Sequence, residues 1–458
     1  MLRIWQEECV QTALNKFEMS HAHFFCQATP GAGKTVMAAE LAKRLLIRGE
    51  IDLVLCFSPS LVVSEGIQHT FAWKLDCTFN GGLGSLGASY TYQTIRFLRE
   101  DFWMTISKHR VLVVFDEIHH CSYDEQGRSN VWGEQVLANI KGMARYTLAL
   151  SGTPWRSDSL PIAMAEYSDP EGQLICDYQY GLKQAIQDRV CRRPKIVLVD
   201  NEHLTITDKG DTQSFSSILE LLKESEVPYH SVIHNEDAMS YLLGEGCTKL
   251  AQIRQQSPQA GGLVVASSVK HAKAIQELLI NKFGQSASIV TYHHESPLEE
   301  IDTFRHGCTQ WIVSVGMISE GTDIPRLQVC CHMSSIKTEL YFRQVLGRIL
   351  RVTDSPNQEA WLFTFAEESL VGFAERIEQD IPETCMFIKV KQDEDQPSFV
   401  NTSAASKKEL NQHLSTQVSS VTWQQMDCDS VPNNTEYSTL FDELRFGAFK
   451  QRVLSAFI

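Results

Sequence analysis

Short β-branched and aromatic runs alternate with longer stretches of helical periodicity up to about Pro194, a pattern that predicts a parallel sheet covered by helices. The expected strands are His23–Cys26, Asp52–Ser58, Val111–Phe115 and Tyr146–Leu150, and each of the first three runs straight into a segment of unusual chemistry. Open α/β sheets bind ligands at the carboxyl ends of their strands, so this placement is the first functional clue. A second alternating block follows, with strands expected at Lys195–Val199, Gly262–Ser267, Ser288–Tyr292, Trp311–Val315, Gln328–His332 and Trp361–Phe365. Helices are expected between them at Val269–Lys282 and Lys337–Arg351.

The fold class is therefore α/β, with two tandem parallel-sheet lobes over residues 1–194 and 195–373 and a C-terminal extension over 374–458. Residues 201–259 are polar and mostly helical in pattern, and are expected to form an insertion in the second lobe. Within the extension, Lys391–Ser420 is rich in Asp, Gln, Ser and Asn and reads as a flexible connector. Leu440–Ile458 then recovers apolar residues at roughly helical spacing, namely Phe441, Leu444, Phe449, Val453, Leu454 and Phe457. Such a stripe packs on its own protein or docks a partner.

At 458 residues and 43% hydrophobic composition the chain can bury two or three domain cores. Its net charge of −15 is the wrong sign for a protein coated in a nucleic-acid-binding field, so any polyanion must enter a local channel. The 13 cysteines are odd in number and lack C-x-x-C spacing, which suits buried thiols of a reducing compartment, without disulfides or a zinc site. The first residues lack a basic segment followed by an apolar core, and no apolar run reaches the ~18 residues that a membrane span needs. A soluble, cytoplasmic protein is expected, with no membrane partner.

Gln27-Ala-Thr-Pro-Gly-Ala-Gly-Lys-Thr35 lies between an expected strand and a helix, where backbone N–H groups and a helix N-terminus converge on phosphate oxygens. Gly31 and Gly33 permit the tight wrap, with Thr29 and Ala32 completing the loop. Lys34 reaches the β- and γ-phosphates of ATP, and the Thr35 hydroxyl ligates Mg2+. About eighty residues on, the apolar run Val111–Phe115 delivers Asp116 and Glu117. One carboxylate after such a strand serves the metal and a second the attacking water, so Asp116 is the expected Mg2+ ligand and Glu117 the general base. His119, His120 and Cys121 have a spacing that suits no zinc site.

In these motifs the chain resembles superfamily 2 helicases and translocases of the DExH type, over most of residues 1–370. Leu2-Arg-Ile-Trp-Gln6 resembles the family's adenine-recognition segment, which implies that Gln6 reads the base. Ala28–Thr35 is similar to motif I, Asp116–His119 to motif II and Ser151-Gly-Thr-Pro154 to motif III. The resemblance implies that His119, Ser151 and Thr153 couple the ATP site to polymer movement. Ser58-Pro-Ser60 and Thr91-Tyr-Gln93 resemble segments that touch the phosphate backbone. Gly321-Thr-Asp-Ile-Pro325 is similar to motif V, placing Gly321 and Asp323 near the nucleotide, and Gln344–Arg351 to motif VI. On a helix Gln344, Arg348 and Arg351 share one face, presenting two guanidinium groups to the γ-phosphate from the opposite lobe.

The resemblance implies two RecA-like lobes with ATP in the cleft between them. Hydrolysis would part Lys34 from Arg348 and Arg351, and a strand gripped by both lobes would be displaced. Groups around Ser58, Ser60, Thr91, Gln93, Ser267 and Ser268 would grip phosphates without many lysines. The motif spellings, with Ile118 and His119 in motif II and Gly152 in motif III, lean toward DNA, and the similarity at Leu2–Gln6 and Gln344–Arg351 is closer to repair and restriction-subunit helicases. DNA is thus expected over RNA, with a protein partner conceivable through the C-terminal extension.

Overall fold

The computed structural model describes residues 2–122, 133, 136, 140–152, 161–168, 174–291, 297–316, 323–378, 441 and 443–455. Thr153 and Gly321, and the Lys391–Ser420 segment, lie outside these residues.

The first lobe is built on strands β1 (His23–Ala28), β2 (Leu53–Ser58), β3 (Gly87–Thr91), β4 (Val111–Phe115) and β5 (Tyr146–Ser151). After a two-stranded hairpin, β6 (Glu166–Tyr167) and β7 (Leu174–Ile175), comes β8 (Tyr178–Tyr180). The six-stranded order is β3-β2-β4-β5-β1-β8, and every pairing in it is parallel. Parallel neighbours need crossover helices that cover both faces. The continuous apolar run of β4 is accordingly buried at all five positions. Helices α1 (Ile4–Glu18) and α2 (Lys34–Ile47) present buried residues at helical spacing, Trp5, Cys9, Ala13 and Phe17 on α1 and Met37, Leu41 and Leu45 on α2.

The second lobe contains β9 (Arg193–Asn201), β10 (Leu204–Asp208), β11 (Asp211–Phe215), β12 (Gly261–Ala266), β13 (Ala287–Val290), β14 (Trp311–Ser314), β15 (Leu327–Met333) and β16 (Glu359–Phe365). Two more strands follow, β17 (Glu443–Phe446) and β18 (Phe449–Ser455). The main sheet runs β13-β14-β12-β15-β16-β9-β18, parallel except for the last pair. Trp311 fills the space left by Gly246 and Gly262: a Cβ on Gly262 would come within 2.4 Å of the indole, and one on Gly246 within 3.2 Å.

Two segments depart from the sequence reading. Residues 201–259 are mostly helical, in Ile218–Glu224, Tyr229–His234 and Glu236–Arg254, but they also hold two strands that were not expected: β10 and β11 form a hairpin closed by Lys209 and Gly210, both at positive φ. Leu204 and Ile206 alternate inward while the outward positions are polar, so the strand signal was diluted. The stretch is also not set apart from the lobe: helix Glu236–Arg254 buries Leu242, Leu243, Leu250 and Ile253 in its core. The second departure is Leu440–Ile458, whose helical spacing becomes two strands. β18 pairs antiparallel with β9 from Phe449 opposite Asn201 to Ser455 opposite Lys195, and β17 pairs with β10. The open edge of β9 offers a full row of backbone hydrogen bonds, which outweighs a stripe that buries only Leu444 and Leu454. Part of the C-terminal extension therefore belongs to the second lobe.

Among the described residues the cysteines are free thiols, most of them buried, with Cys308 exposed. No helix among them is long and apolar enough to cross a membrane.

His332 on β15 is fully buried, with Tyr341 and Phe342 edge-on to its ring and no hydrogen bond at either nitrogen. Burial lowers its pKa to about 4. A depressed histidine stabilises the fold above its ordinary value near ~6.5 and loses that contribution as the pH falls toward the folded value. His332→Leu is expected to reduce the loss of stability between those limits by up to about 1.4 kcal/mol per pH unit. Denaturant unfolding of both proteins across this range checks it; parallel curves would refute it.

Candidate nucleotide site between the lobes

The phosphate loop leaves β1 at Ala28 and enters α2 at Lys34, with Gly31 at φ 83° and Gly33 at φ 94°. Side chains rarely tolerate these left-handed conformations. The loop is held from three directions. The Thr29 N–H donates to the Tyr180 carbonyl at 3.0 Å. The Arg3 guanidinium donates to the Ala32 carbonyl at 2.6 Å, and the Gln6 amide donates to the Gly33 carbonyl at 2.9 Å. Gln6 also accepts from the Arg3 N–H at 2.9 Å, so the residue expected to read the base is part of the clamp on the loop. Trp5 anchors this end of α1 by stacking on Tyr180, 4.7 Å between ring centroids.

Lys34 lies deep in the site, its Nζ 3.0 Å from a Glu117 carboxylate oxygen and 3.2 Å from the Ala28 carbonyl. Burial pulls the ammonium down, but the Glu117 and Asp116 carboxylates outweigh it and raise the lysine pKa. For Glu117, burial pushes the pKa up, but Lys34, then His119 and the Gly152 N–H, leave it well below the ordinary glutamate value. That N–H donates to the other Glu117 oxygen at 3.0 Å. Glu117 itself sits at φ 51°, a costly conformation for a non-glycine residue and one concentrated at functional sites. Asp116 is buried beside it, its N–H donating to the Phe57 carbonyl and its carbonyl accepting from the Tyr92 hydroxyl, both at 2.8 Å.

His119 Nδ1 lies 2.9 Å from Ser151 Oγ and 3.4 Å from Glu117, so the segments that resemble motifs II and III meet. Thr35 occupies the first turn of α2. A hydroxyl, a buried carboxylate and a buried ammonium around a glycine-bearing loop at a helix N-terminus match the donor set for a nucleoside triphosphate with Mg2+.

The second lobe closes this site. Gly347 packs against Pro30 so tightly that a Cβ would stand 2.7 Å from the proline Cβ. Arg351 lies alongside Gly31, ion-paired to Asp323, and burial lowers its pKa to about 10. The expected single helical face needs correction: the helix spans Glu339–Ile349 and is capped at Leu350, so it carries Gln344 and Arg348 but not Arg351. Arg351 is instead held by a β-bridge to Cys191, whose thiol points at the Pro30 carbonyl, 3.8 Å away.

The expected polymer-contacting residues gather at strand ends, with their hydroxyls already engaged. Ser58 and Thr91 are opposite partners on β2 and β3 and are buried, so the hydroxyls face the protein and not a polymer. Ser60 and Ser268 cap helices, accepting from the Val63 and His271 N–H groups, while Gln93 is half-buried in the turn Tyr92–Phe97. Ser267 bonds to His234 and His271.

Three residues escaped the sequence reading. Tyr92 ties the Thr91–Gln93 segment to Asp116, and Arg3 clamps the loop from within the segment quoted for Gln6. Arg192, nearly fully buried at the junction of the lobes, donates to the carbonyls of Pro325, Leu327 and Ile349 and to Thr353. Nothing in its local sequence marks it.

The family model described as "Type III restriction enzyme, res subunit" matches residues 1–156, and that described as "Helicase conserved C-terminal domain" matches residues 245–353. Together they cover more than half of the chain, one on each lobe. The chain belongs to superfamily 2 of helicases and translocases. It is 29% identical over 391 residues to the uncharacterized protein Rv2917 of Mycobacterium tuberculosis, covering 82% of this chain and 63% of that one. The superfamily 2 chain thus spans somewhat under two thirds of the length of this curated relative. Among solved structures it is similar to a fragment assigned as the HsdR subunit of a type I restriction enzyme from Vibrio vulnificus. That match has TM-score 0.56 and 15% identity, over 82% of this chain and 66% of the other. It is also similar to the ATP-dependent type ISP restriction-modification enzyme LlaBIII bound to DNA, with TM-score 0.51 and 14% identity, over 80% of this chain and 28% of that one. At these identities the structural matches speak to fold alone.

Gly347→Ala should favour the helix itself by up to about 1 kcal/mol, while the added Cβ drives Pro30 and the second lobe apart. A loss of nucleotide affinity of about tenfold is expected, an overpacking cost of ~1.4 kcal/mol. Titration with a fluorescent ATP analogue, alongside a thermal melt, checks it; unchanged affinity would show that this contact does not shape the site.

Proposed function

We propose that this superfamily 2 chain is an ATP-driven motor on nucleic acid, DNA in preference to RNA, hydrolysing ATP in the cleft between its lobes. The observation that carries this reading is the seating of Gly347 and Arg351 of the second lobe on Pro30 and Gly31 of the first. A phosphate loop alone binds nucleotide; a loop completed by the other lobe makes lobe closure depend on it.

In this reading Lys34, Thr35 and Asp116 hold the triphosphate and its Mg2+, which supplies charge neutralisation for phosphoryl transfer. Lys34 leaves Glu117 for a phosphate oxygen and thereby removes the nearby positive charge that depresses Glu117. The carboxylate becomes a stronger base toward water held against it, with the Gly152 N–H and His119 fixing its orientation. Arg351 exchanges Asp323 for the γ-phosphate, with Arg348 and Gln344 presented from the adjoining helix. Gln6, already bonded to the loop, reads the base. His119 and Ser151 pass the change to the polymer grip, and Tyr92 joins that grip to Asp116. Backbone amides around Ser60 and Ser268 hold phosphates at the strand ends. The match to the family model of a type III restriction enzyme's res subunit favours DNA.

A second reading, a motor subunit of a larger effector assembly, is favoured by the greater length of the mycobacterial relative. An internal deletion within 391–440 that spares β17 and β18 tests it: the reading predicts intact ATP turnover and loss of a co-purifying complex.

ATP turnover measured with single-stranded DNA, duplex DNA and RNA tests the main proposal. Stimulation by DNA supports it, preferential stimulation by RNA reverses the polymer, and turnover indifferent to any polymer refutes it. Lys34→Ala is expected to abolish nucleotide binding. Glu117→Gln should retain nucleotide with turnover reduced by about 10²-fold or more, and Arg351→Ala should lose about 10³-fold while still binding. Normal turnover in Glu117→Gln would remove that residue as the base.

A further inference from the structure

At the carboxyl end of β12, three imidazole rings lie one upon another. His230 and His234 of helix Tyr229–His234 stack at 3.8 Å between centroids and 23° between planes, and His234 stacks on His271 of helix Val269–Glu277 at 4.0 Å and 24°. Ser267 Oγ joins the inner two, 2.8 Å from His234 Nε2 and 2.9 Å from His271 Nδ1. The Ser267 N–H also donates to His271 Nδ1, at 3.2 Å, so that nitrogen carries no proton. The stack is thus pinned at its inner end, where His271 is buried, and reaches the surface at exposed His230.

Adjacent imidazolium ions would repel, so a stack this close requires neutral rings. Burial lowers all three, His234 to about 3 and His271 to about 4, reinforced at His234 by its two neighbours and Lys270. The result at neutral pH is a rigid, uncharged aromatic column ending at the surface, immediately beside the Ser267-Ser268 turn. Histidine rings serve as stacking surfaces for unpaired bases.

We propose that His230, supported by His234 and His271, is a ledge on which the second lobe stacks one nucleobase of a single strand whose phosphate lies at Ser267-Ser268. This rests on the polymer-binding reading above and assigns to the second lobe a grip made by π-surface and not by charge. Such a contact suits a chain of net charge −15, since stacking releases no counterions.

The test compares binding of an oligothymidylate with binding of the same backbone carrying abasic sites, in the full chain and its variants. His230→Ala should weaken oligothymidylate binding about tenfold or more, the scale of one base–aromatic stack. It should leave abasic binding and the salt slope unchanged, whereas His230→Phe should retain the preference for bases. As a charge control, Lys270→Ala should alter the salt slope by at most about one and not the base preference. Equal losses on both oligonucleotides in His230→Ala, or failure of His230→Phe to rescue, would overturn the ledge. No binding of either oligonucleotide by the unsubstituted chain would overturn the polymer-binding reading itself.

Discussion

The contact of Gly347 with Pro30 is the constraint on which the rest of this architecture depends. A phosphate loop is soft: its two glycines lie in left-handed conformations and its carbonyls need donors from elsewhere. Here it is clamped from behind by Arg3 and Gln6 of α1 and pressed from the front by a helix of the other lobe. A Cβ on Gly347 would stand 2.7 Å from the Pro30 Cβ, so only glycine lets that helix approach the loop so closely.

Electrostatics inside the cleft acts in the same direction. Lys34 and Glu117 neutralise each other, as do Arg351 and Asp323, so each cation meant for a phosphate is held by a carboxylate of its own lobe. In the proposed function an incoming triphosphate would displace both carboxylates and compensate both cations at once. The paired arrangement spares the ligand-free cleft the repulsion of clustered cations, and it makes the two lobes respond to one ligand. His119 and Ser151 on one side, and Tyr92 on the other, attach this charge exchange to the strand ends where a polymer would lie.

Much of the site was legible in the chain because phosphate chemistry constrains local sequence. A loop that wraps phosphate needs glycines at fixed intervals, and a strand that delivers two acids needs an apolar run before them; both signals are contained in a few consecutive residues. The legible part ended where residues act across distance. Ser58 and Thr91 match a segment pattern yet are buried, because Ser58 is satisfied by the Ser60 and Tyr90 carbonyls and Thr91 by the Thr94 hydroxyl, partners that no motif specifies. Arg351 belongs to a helical repeat yet stands beyond the helix, since the bridge to Cys191 ends it.

By itself the sequence determined the α/β class, most strands of the two main sheets, the loop at Ala28–Thr35 and the acids at Asp116 and Glu117, because each depends on periodicity or spacing within a short window. Only the tertiary structure decided that Phe449–Ser455 would be a strand, that Arg192 would stitch the lobe junction, and that three histidines from two helices would share one column. These depend on an open sheet edge, on unpaired carbonyls and on the meeting of helix ends. Such partners are remote in sequence, and they exist only once the two sheets have assembled.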